Sequence, residues 1–268
     1  MKWTRRDVLK GLGGLPIVGG IWWAGAANSL VSNNERIERE EILAQLNIQP
    51  SLPVTVPPVE GNAIRVGIIG FGIRGEQLCR ALGFATKKWL KNMKNAVDEN
   101  PNHTALKDFQ DQEKLNVTIV GVCDVFDFNA NRVIDSFSTE SQKVLRYSNY
   151  QEMIKSGNVD AVIIATPDHW HAPMAIEALN NGVSAYVEKP MTHTVEETYR
   201  LREAARNSSA KLMVGHQHRQ TLSFKTAQDI VKKGTLGHVS MVQTNTNRND
   251  DNGAWNYHIH EDASEQTI

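Results

Sequence analysis

Cysteine is almost missing: Cys79 and Cys123 are the only two in 268 residues. That leaves no disulfide framework, and neither the cysteine nor the carboxylate spacing completes a zinc-binding pattern. Both cysteines fall in segments that read as buried helix and strand, so core thiols are expected. A surplus of charge is missing too. Lys and Arg number 29 against 30 Asp and Glu, a formal net charge of -1, and nothing argues for nucleic acid or an anionic membrane as partner. Residues 11–23 are apolar but short and diluted by glycine, well under the roughly 20 residues of a membrane span. No internal repeat is present. With 40% hydrophobic and 22% charged residues, the chain has the balance of a soluble protein of roughly two domains.

The N-terminus reads as an address. Residues 4–10, TRRDVLK, resemble a twin-arginine export signal with Val8 where phenylalanine is usual, and Ala24, Gly25 and Ala26 suit cleavage. Residues 1–27 are therefore expected to be a signal peptide, and the protein to be periplasmic or otherwise exported by that route. An arm follows over 28–62: a charged helix at 35–48, then PSLPVTVPPVEG with four of the nine prolines.

From Ile64 buried strands alternate with helices, the pattern of a doubly wound parallel α/β sheet. The strand IRVGIIG leads into GFGIRG, with Gly70, Gly72 and Gly75 at G-x-G-x-x-G spacing before a helix. Such glycines permit a tight turn, close approach of backbone to a pyrophosphate, and close helix–strand packing. A second strand, VTIVGVCD, ends in Asp124, placed to bond a ribose hydroxyl and favouring NAD over NADP; Asp127 is the reserve. The connection is long for the motif, and residues 84–113 read as an extended first helix plus a surface insertion. VDAVIIATP reads as the third strand, VSAYVE and KLMVG as the next two, and Thr194 and Glu197 stand at capping-box spacing. The domain is expected over 63–220. Residues 221–268 are expected to begin an α+β domain with an open antiparallel sheet, its first strand within HVSMVQTNTNRN.

The expected strand ends carry ATPDHWHAP, VEKP and GHQHRQ. With GFGIRG these resemble the Gfo/Idh/MocA family of NAD(P)-dependent oxidoreductases, whose members mostly act on sugars and cyclitols. The resemblance runs from about Ile64 to the end, and the family's continuing C-terminal sheet makes a truncated chain the expectation. It implies NAD held by Gly70, Gly72, Ile73, Arg74, Gly75, Asp124, Thr166, Pro167, His169, Trp170, His171, Glu188, Lys189, His216 and Gln217. It implies Lys189 as proton-transfer residue, with His193 in the same turn the second catalytic candidate. Lys189, His218, Arg219, Asn247, Arg248 and Trp255 are the substrate-side candidates. A lysine partly buried beside an oxidised nicotinamide would move toward general-base competence, with Glu188 balancing charge and Pro190 fixing the turn.

The pairs His169/His171, His216/His218 and His258/His260 would share a face on a strand, but the family's chemistry needs no metal and none is expected. The partner expected is a small carbohydrate, with no nucleic acid, no stable membrane association after signal removal, and room for a homo-oligomer. Export leaves little free NAD to exchange, which favours a tightly held cofactor and overall redox-neutral chemistry. Three functions stay open: an oxidoreductase on a sugar or cyclitol hydroxyl carbon, a glycosidase using transient ring oxidation and elimination, and a non-catalytic sugar-binding or fragment protein.

Overall fold

The computed structural model describes residues 61–217, 219, 221–245 and 259–264, with residue 44. The expected signal and nearly all of the arm lie outside the described residues. The chain divides into two compact units, one of Val56–His216 with His260–Ile268 and the other of Met1–Thr55 with Gln217–Ile259.

In the first unit the described elements run β1 (Ile64–Ile69), α1 (Ile73–Ala81), α2 (Lys87–Glu99), α3 (Ala105–Asp111), β2 (Val117–Cys123), α4 (Asp127–Phe137), β3 (Leu145–Arg146), α5 (Tyr150–Lys155), β4 (Ala161–Ile164), α6 (His171–Asn180), β5 (Ser184–Glu188), α7 (Val195–Asn207) and β6 (Leu212–Gly215). All strand pairs are parallel, in the order β3-β2-β1-β4-β5-β6. The order reverses between β1 and β4, and at such a switch point the connecting loops diverge and leave a crevice at the carboxyl ends of the strands.

The apolar runs form buried strands because both faces of the sheet are covered. Ile68 faces a core with Leu78 of α1 and Val133 of α4. Its neighbour Ile69 faces the opposite core, with Met153 of α5, Leu179 of α6 and Leu201 of α7. Each such side chain, fully buried, stabilises the fold by about 1.5–3 kcal/mol. The cysteines are free and buried in these cores; burial pushes the Cys79 thiol up to about 12 and the Cys123 thiol up to about 11.

The structure alters two expectations in this unit. Residues 84–113 do not extend the first helix. Helix α1 stops at Ala81 because Gly83 takes a left-handed φ of 91° and the Phe84 N–H turns back to the Cys79 carbonyl. Two separate helices follow, and α2 is tied to α1 by Thr86, which caps the Trp89 N–H and donates to Glu76 Oε1 at 2.8 Å. The strand AVII is the fourth, because the two-residue β3 at Leu145–Arg146 pairs beside β2; two residues are too short to show a hydrophobic period. The capping box at Thr194 and Glu197 forms in full at the start of α7.

In the second unit, helix α8 (Leu222–Lys232) buries Thr226 and Ile230, and the Thr226 hydroxyl donates to the Leu222 carbonyl at 2.8 Å. The antiparallel strand expected next does not form over residues 238–245, where Met241 and Val242 are exposed. A strand needs a ladder partner, and none runs beside this segment among the described residues.

Candidate functional site

The glycine turn between β1 and α1 is locked from several sides. Gly70 has φ 85°, and a Cβ there would stand 2.8 Å from the Ala165 carbonyl oxygen at the end of β4. A Cβ on Gly75 would run into the Gly70 carbonyl oxygen, whereas a Cβ on Gly72 would meet nothing within 4 Å. So Gly70 and Gly75 are required by the protein's own packing, and Gly72 borders open space. Phe71 between them is fully buried, with its ring edge-on to Phe137. No side chain caps α1, whose N-cap is Gly72, so its first-turn N–H groups remain available to an anion. Ile73, on that first turn, is exposed.

Asp124 stands at the end of β2 as expected, and both of its oxygens are engaged: Oδ2 accepts from the Phe71 N–H at 2.7 Å and Oδ1 from the Phe126 N–H at 2.8 Å. The carboxylate therefore tethers the glycine turn. The reserve candidate Asp127 is exposed and pairs with Arg146 of β3.

After β4, Thr166 and Pro167 lead into a short 3-10 turn, Asp168–Trp170, and then α6. His169 and His171 thus do not lie on a strand and do not share a face: His169 and Trp170 are exposed, while His171 is 1% exposed. His171 is a strut between two segments of the rim. Its Nε2 lies 2.9 Å from the Thr166 carbonyl oxygen and its Nδ1 2.6 Å from that of Pro190. A carbonyl only accepts, so both contacts are hydrogen bonds only while each ring nitrogen carries a proton; the neutral ring satisfies one.

The β5 end carries Glu188, Lys189 and Pro190, the last joined by a cis peptide bond. Glu188 is 4% exposed. Its Oε1 accepts from Arg74 Nε at 2.8 Å and from the Tyr186 hydroxyl at 3.2 Å, and Arg74 is steadied by Gln77 on the next turn of α1. Because β4 lies between β1 and β5, this ion pair joins the glycine turn to the β5 end across the crevice. Among the described residues, the cation that meets Glu188 is Arg74. Lys189 follows Glu188 in the chain. Its side chain is exposed at the strand end, with no carboxylate partner among the described residues. His193 is exposed, in the turn that the Glu197 carboxylate ties down by accepting its backbone N–H.

At the end of β6, His216, Gln217 and Arg219 are exposed. His218, Asn247, Arg248 and Trp255 lie outside the described residues, as does His258, so the His216/His218 and His258/His260 pairs are each described at one member only. Two residues of the site escaped the sequence reading. Tyr186 looked like one more strand apolar, and Gly215 like the end of a strand. A Cβ at Gly215 would meet the Tyr186 hydroxyl and stand 2.7 Å from Glu188 Oε1. A glycine inside a strand is the available signal for such a close approach.

The profile of an oxidoreductase family with an NAD-binding Rossmann fold, Gfo/Idh/MocA, matches residues 64–216. A glycosyl hydrolase family 109 protein of Shewanella baltica is 26% identical over 185 residues, 66% of this chain and 33% of the relative; the chain thus spans about a third of that relative's length. Among solved structures, myo-inositol 2-dehydrogenase from Lactobacillus plantarum aligns with a TM-score of 0.50 at 23% identity, over 66% of this chain and 43% of that one. Scyllo-inositol dehydrogenase from Lactobacillus casei, solved with NAD(H) and scyllo-inositol, aligns with a TM-score of 0.50 at 18% identity and the same coverage. These two likenesses concern the fold.

Proposed function

The chain belongs to the Gfo/Idh/MocA family of oxidoreductases with an NAD-binding Rossmann domain, and from that premise we propose that the protein oxidises a hydroxyl carbon of a sugar or cyclitol, with Lys189 taking the hydroxyl proton. NAD is the cofactor of this domain, and when bound it supplies a hydride acceptor. The residues fit it: the glycine turn leaves open space at Gly72, and the uncapped start of α1 offers N–H groups to phosphates. Gly70, Gly72, Ile73, Arg74 and Gly75 would hold the phosphate end. Asp124, Thr166, Pro167 and Glu188 would hold the remainder, with His169, Trp170, His216 and Gln217 at the rim.

The observation that carries this reading is the end of β5. One charged residue is buried and hydrogen-bonded there, and the next is exposed. Glu188, held by Arg74 and Tyr186, is suited to orienting a ligand hydroxyl. Lys189, without a carboxylate partner, is suited to accepting and returning a proton at a substrate oxygen. His193, exposed in the same turn, is the second group able to relay that proton.

The relatives of the glycosyl hydrolase kind favour a second reading. There, transient oxidation of a ring carbon acidifies its neighbour, the glycosidic bond leaves by elimination, water adds, and the carbon is reduced again. Both readings place Lys189 in the same role. The twin-arginine-like start at residues 4–10 supports export and a cofactor retained through successive turnovers. Among the described residues no helix is long and apolar enough to cross a membrane.

The test is single-turnover absorbance of reduced nicotinamide in the full-length protein, with sugars, cyclitols and aryl glycosides added in turn. Reduction slowed by about 10²–10⁴-fold in Lys189→Met, with NAD still bound, is expected; an unchanged rate would remove Lys189 from the chemistry. Release of the aryl group selects the second reading.

A further inference from the structure

The two oxygens of Glu188 are not equivalent. Both of its protein partners, Arg74 Nε and the Tyr186 hydroxyl, converge on Oε1. Oε2 takes no partner among the described residues, and it is absent from the sealed, unsatisfied polar atoms of that set. A carboxylate whose side chain is only 5% exposed thus keeps one oxygen bonded inside the protein and one open at the strand ends. An oxygen that no protein donor completes and that stays open is left for water or a ligand to complete.

We propose that Tyr186 and Gly215 are positioning residues which, with Arg74, clamp Oε1 of Glu188 so that Oε2 is presented as an acceptor to the ribose hydroxyls on the nicotinamide side of the cofactor. The proposal rests on the NAD reading above and adds to it a division of labour within one side chain.

Each member of the clamp has a distinct physical task. Tyr186 lies two residues before Glu188 on β5, so both project from the same face of the strand. Burial, with the neighbouring carboxylate, pushes the Tyr186 phenol up from its ordinary value, so the group stays a donor. Gly215 pairs with Glu188 in the β5–β6 register and provides room: any side chain there would occupy the position of the hydroxyl and crowd Oε1. Arg74 approaches from the other side of the crevice and sets the direction in which Oε1 is drawn. With all three in place, Oε1 is held at fixed points and Oε2 has one direction left.

The clamp acts on the ribose next to nicotinamide, so it should matter for ligands that carry that ribose and not for those that lack it. NAD and ADP-ribose carry it; ADP does not. Affinities of all three for the full-length protein, measured by titration calorimetry beside thermal melts, test the idea in Tyr186→Phe, Gly215→Ala and the double variant. Loss of one hydrogen bond should weaken NAD and ADP-ribose by about 2–10-fold in Tyr186→Phe. Gly215→Ala should weaken them by about tenfold or more, since it displaces both Tyr186 and Oε1. ADP should bind all variants as it binds the wild type. The double variant should recover part of the ADP-ribose affinity lost in Gly215→Ala, because removing the hydroxyl relieves the closest of the contacts a Cβ there would make, leaving those with Glu188 Oε1 and the Tyr186 ring; a merely weakened sheet would not regain affinity on losing a further hydrogen bond.

A parallel fall in ADP affinity, or ADP-ribose binding unaffected in both single variants, overturns the proposal while the NAD reading stands. A wild type that binds neither NAD nor ADP-ribose removes the NAD reading itself, and the proposal with it.

Discussion

Two arginine–carboxylate pairs stand at opposite ends of the same parallel sheet, and they are built differently. At the amino ends of the strands, Arg65 and Asp160 are both about half exposed and fully satisfied: Arg65 Nε and backbone N–H donate to Oδ2, Nη2 donates to Oδ1 at 2.7 Å, and Nη1 donates to the Gly157 carbonyl. At the carboxyl ends, Arg74 and Glu188 meet through a single oxygen, and the Glu188 side chain is 5% exposed. The first pair staples neighbouring strands in water, where such a bond is worth little. The second retains hydrogen-bonding capacity for water or a ligand to complete. The contrast separates a bond made for the fold from one left open for a ligand. It also predicts that changes at the carboxyl rim reach the ligand, with or without a cost to the fold, whereas changes at the amino end affect the fold alone.

The strongest test of that contrast is His171→Ala. Removing the strut takes away the ring that lies between two carbonyls and opens a cavity, so thermal or denaturant unfolding should show a loss of roughly 2–4 kcal/mol, together with weaker NAD binding as the 166 and 190 turns separate. Undiminished NAD affinity in a destabilised variant would show that the strut serves the fold only. Next come two glycines three residues apart. Gly75→Ala forces a methyl against the Gly70 carbonyl and should cost about 1–3 kcal/mol. Gly72→Ala enters open space, should leave stability within about 0.5 kcal/mol, and should weaken NAD by about tenfold on calorimetric titration. Equal effects of the two substitutions on stability would end the distinction between a packing glycine and a ligand glycine.

The smallest effect belongs to Asp160→Asn. The Arg65 hydrogen bond holds the Asp160 carboxyl below its ordinary value. The pair's contribution is therefore complete above the ordinary carboxylate range and is lost as pH falls through the depressed native value. Melting temperatures of variant and wild type should differ slightly near neutrality, converge in acid, and converge again in high salt; NAD affinity should be unchanged throughout.

Much of this fold was legible before any coordinates, for local reasons. The long buried strands, the glycine spacing and the Thr194/Glu197 box each express a conformational preference within a few residues. The misreadings have equally physical causes. The polar composition of residues 84–113 suits a longer first helix plus an insertion, but the left-handed φ of Gly83 separates it from α1. Strand β3 is too short for alternation, and HVSMV alternates but finds no ladder partner among the described residues. For the site, the sequence offers a set of candidate residues but not the bonds among them. Asp124 serves the Phe71 amide, and Glu188 belongs to Arg74, 114 positions away.

What the sequence determined by itself is the type and order of the elements and the chemistry delivered to each strand end, because backbone preference and hydrophobic period act over short stretches of chain. Only the tertiary structure decided which charge meets which, which histidine is sealed, and which oxygen of Glu188 is left open. Those outcomes depend on the strand order that lays β4 between β1 and β5, and on distances through space that no spacing along the chain encodes.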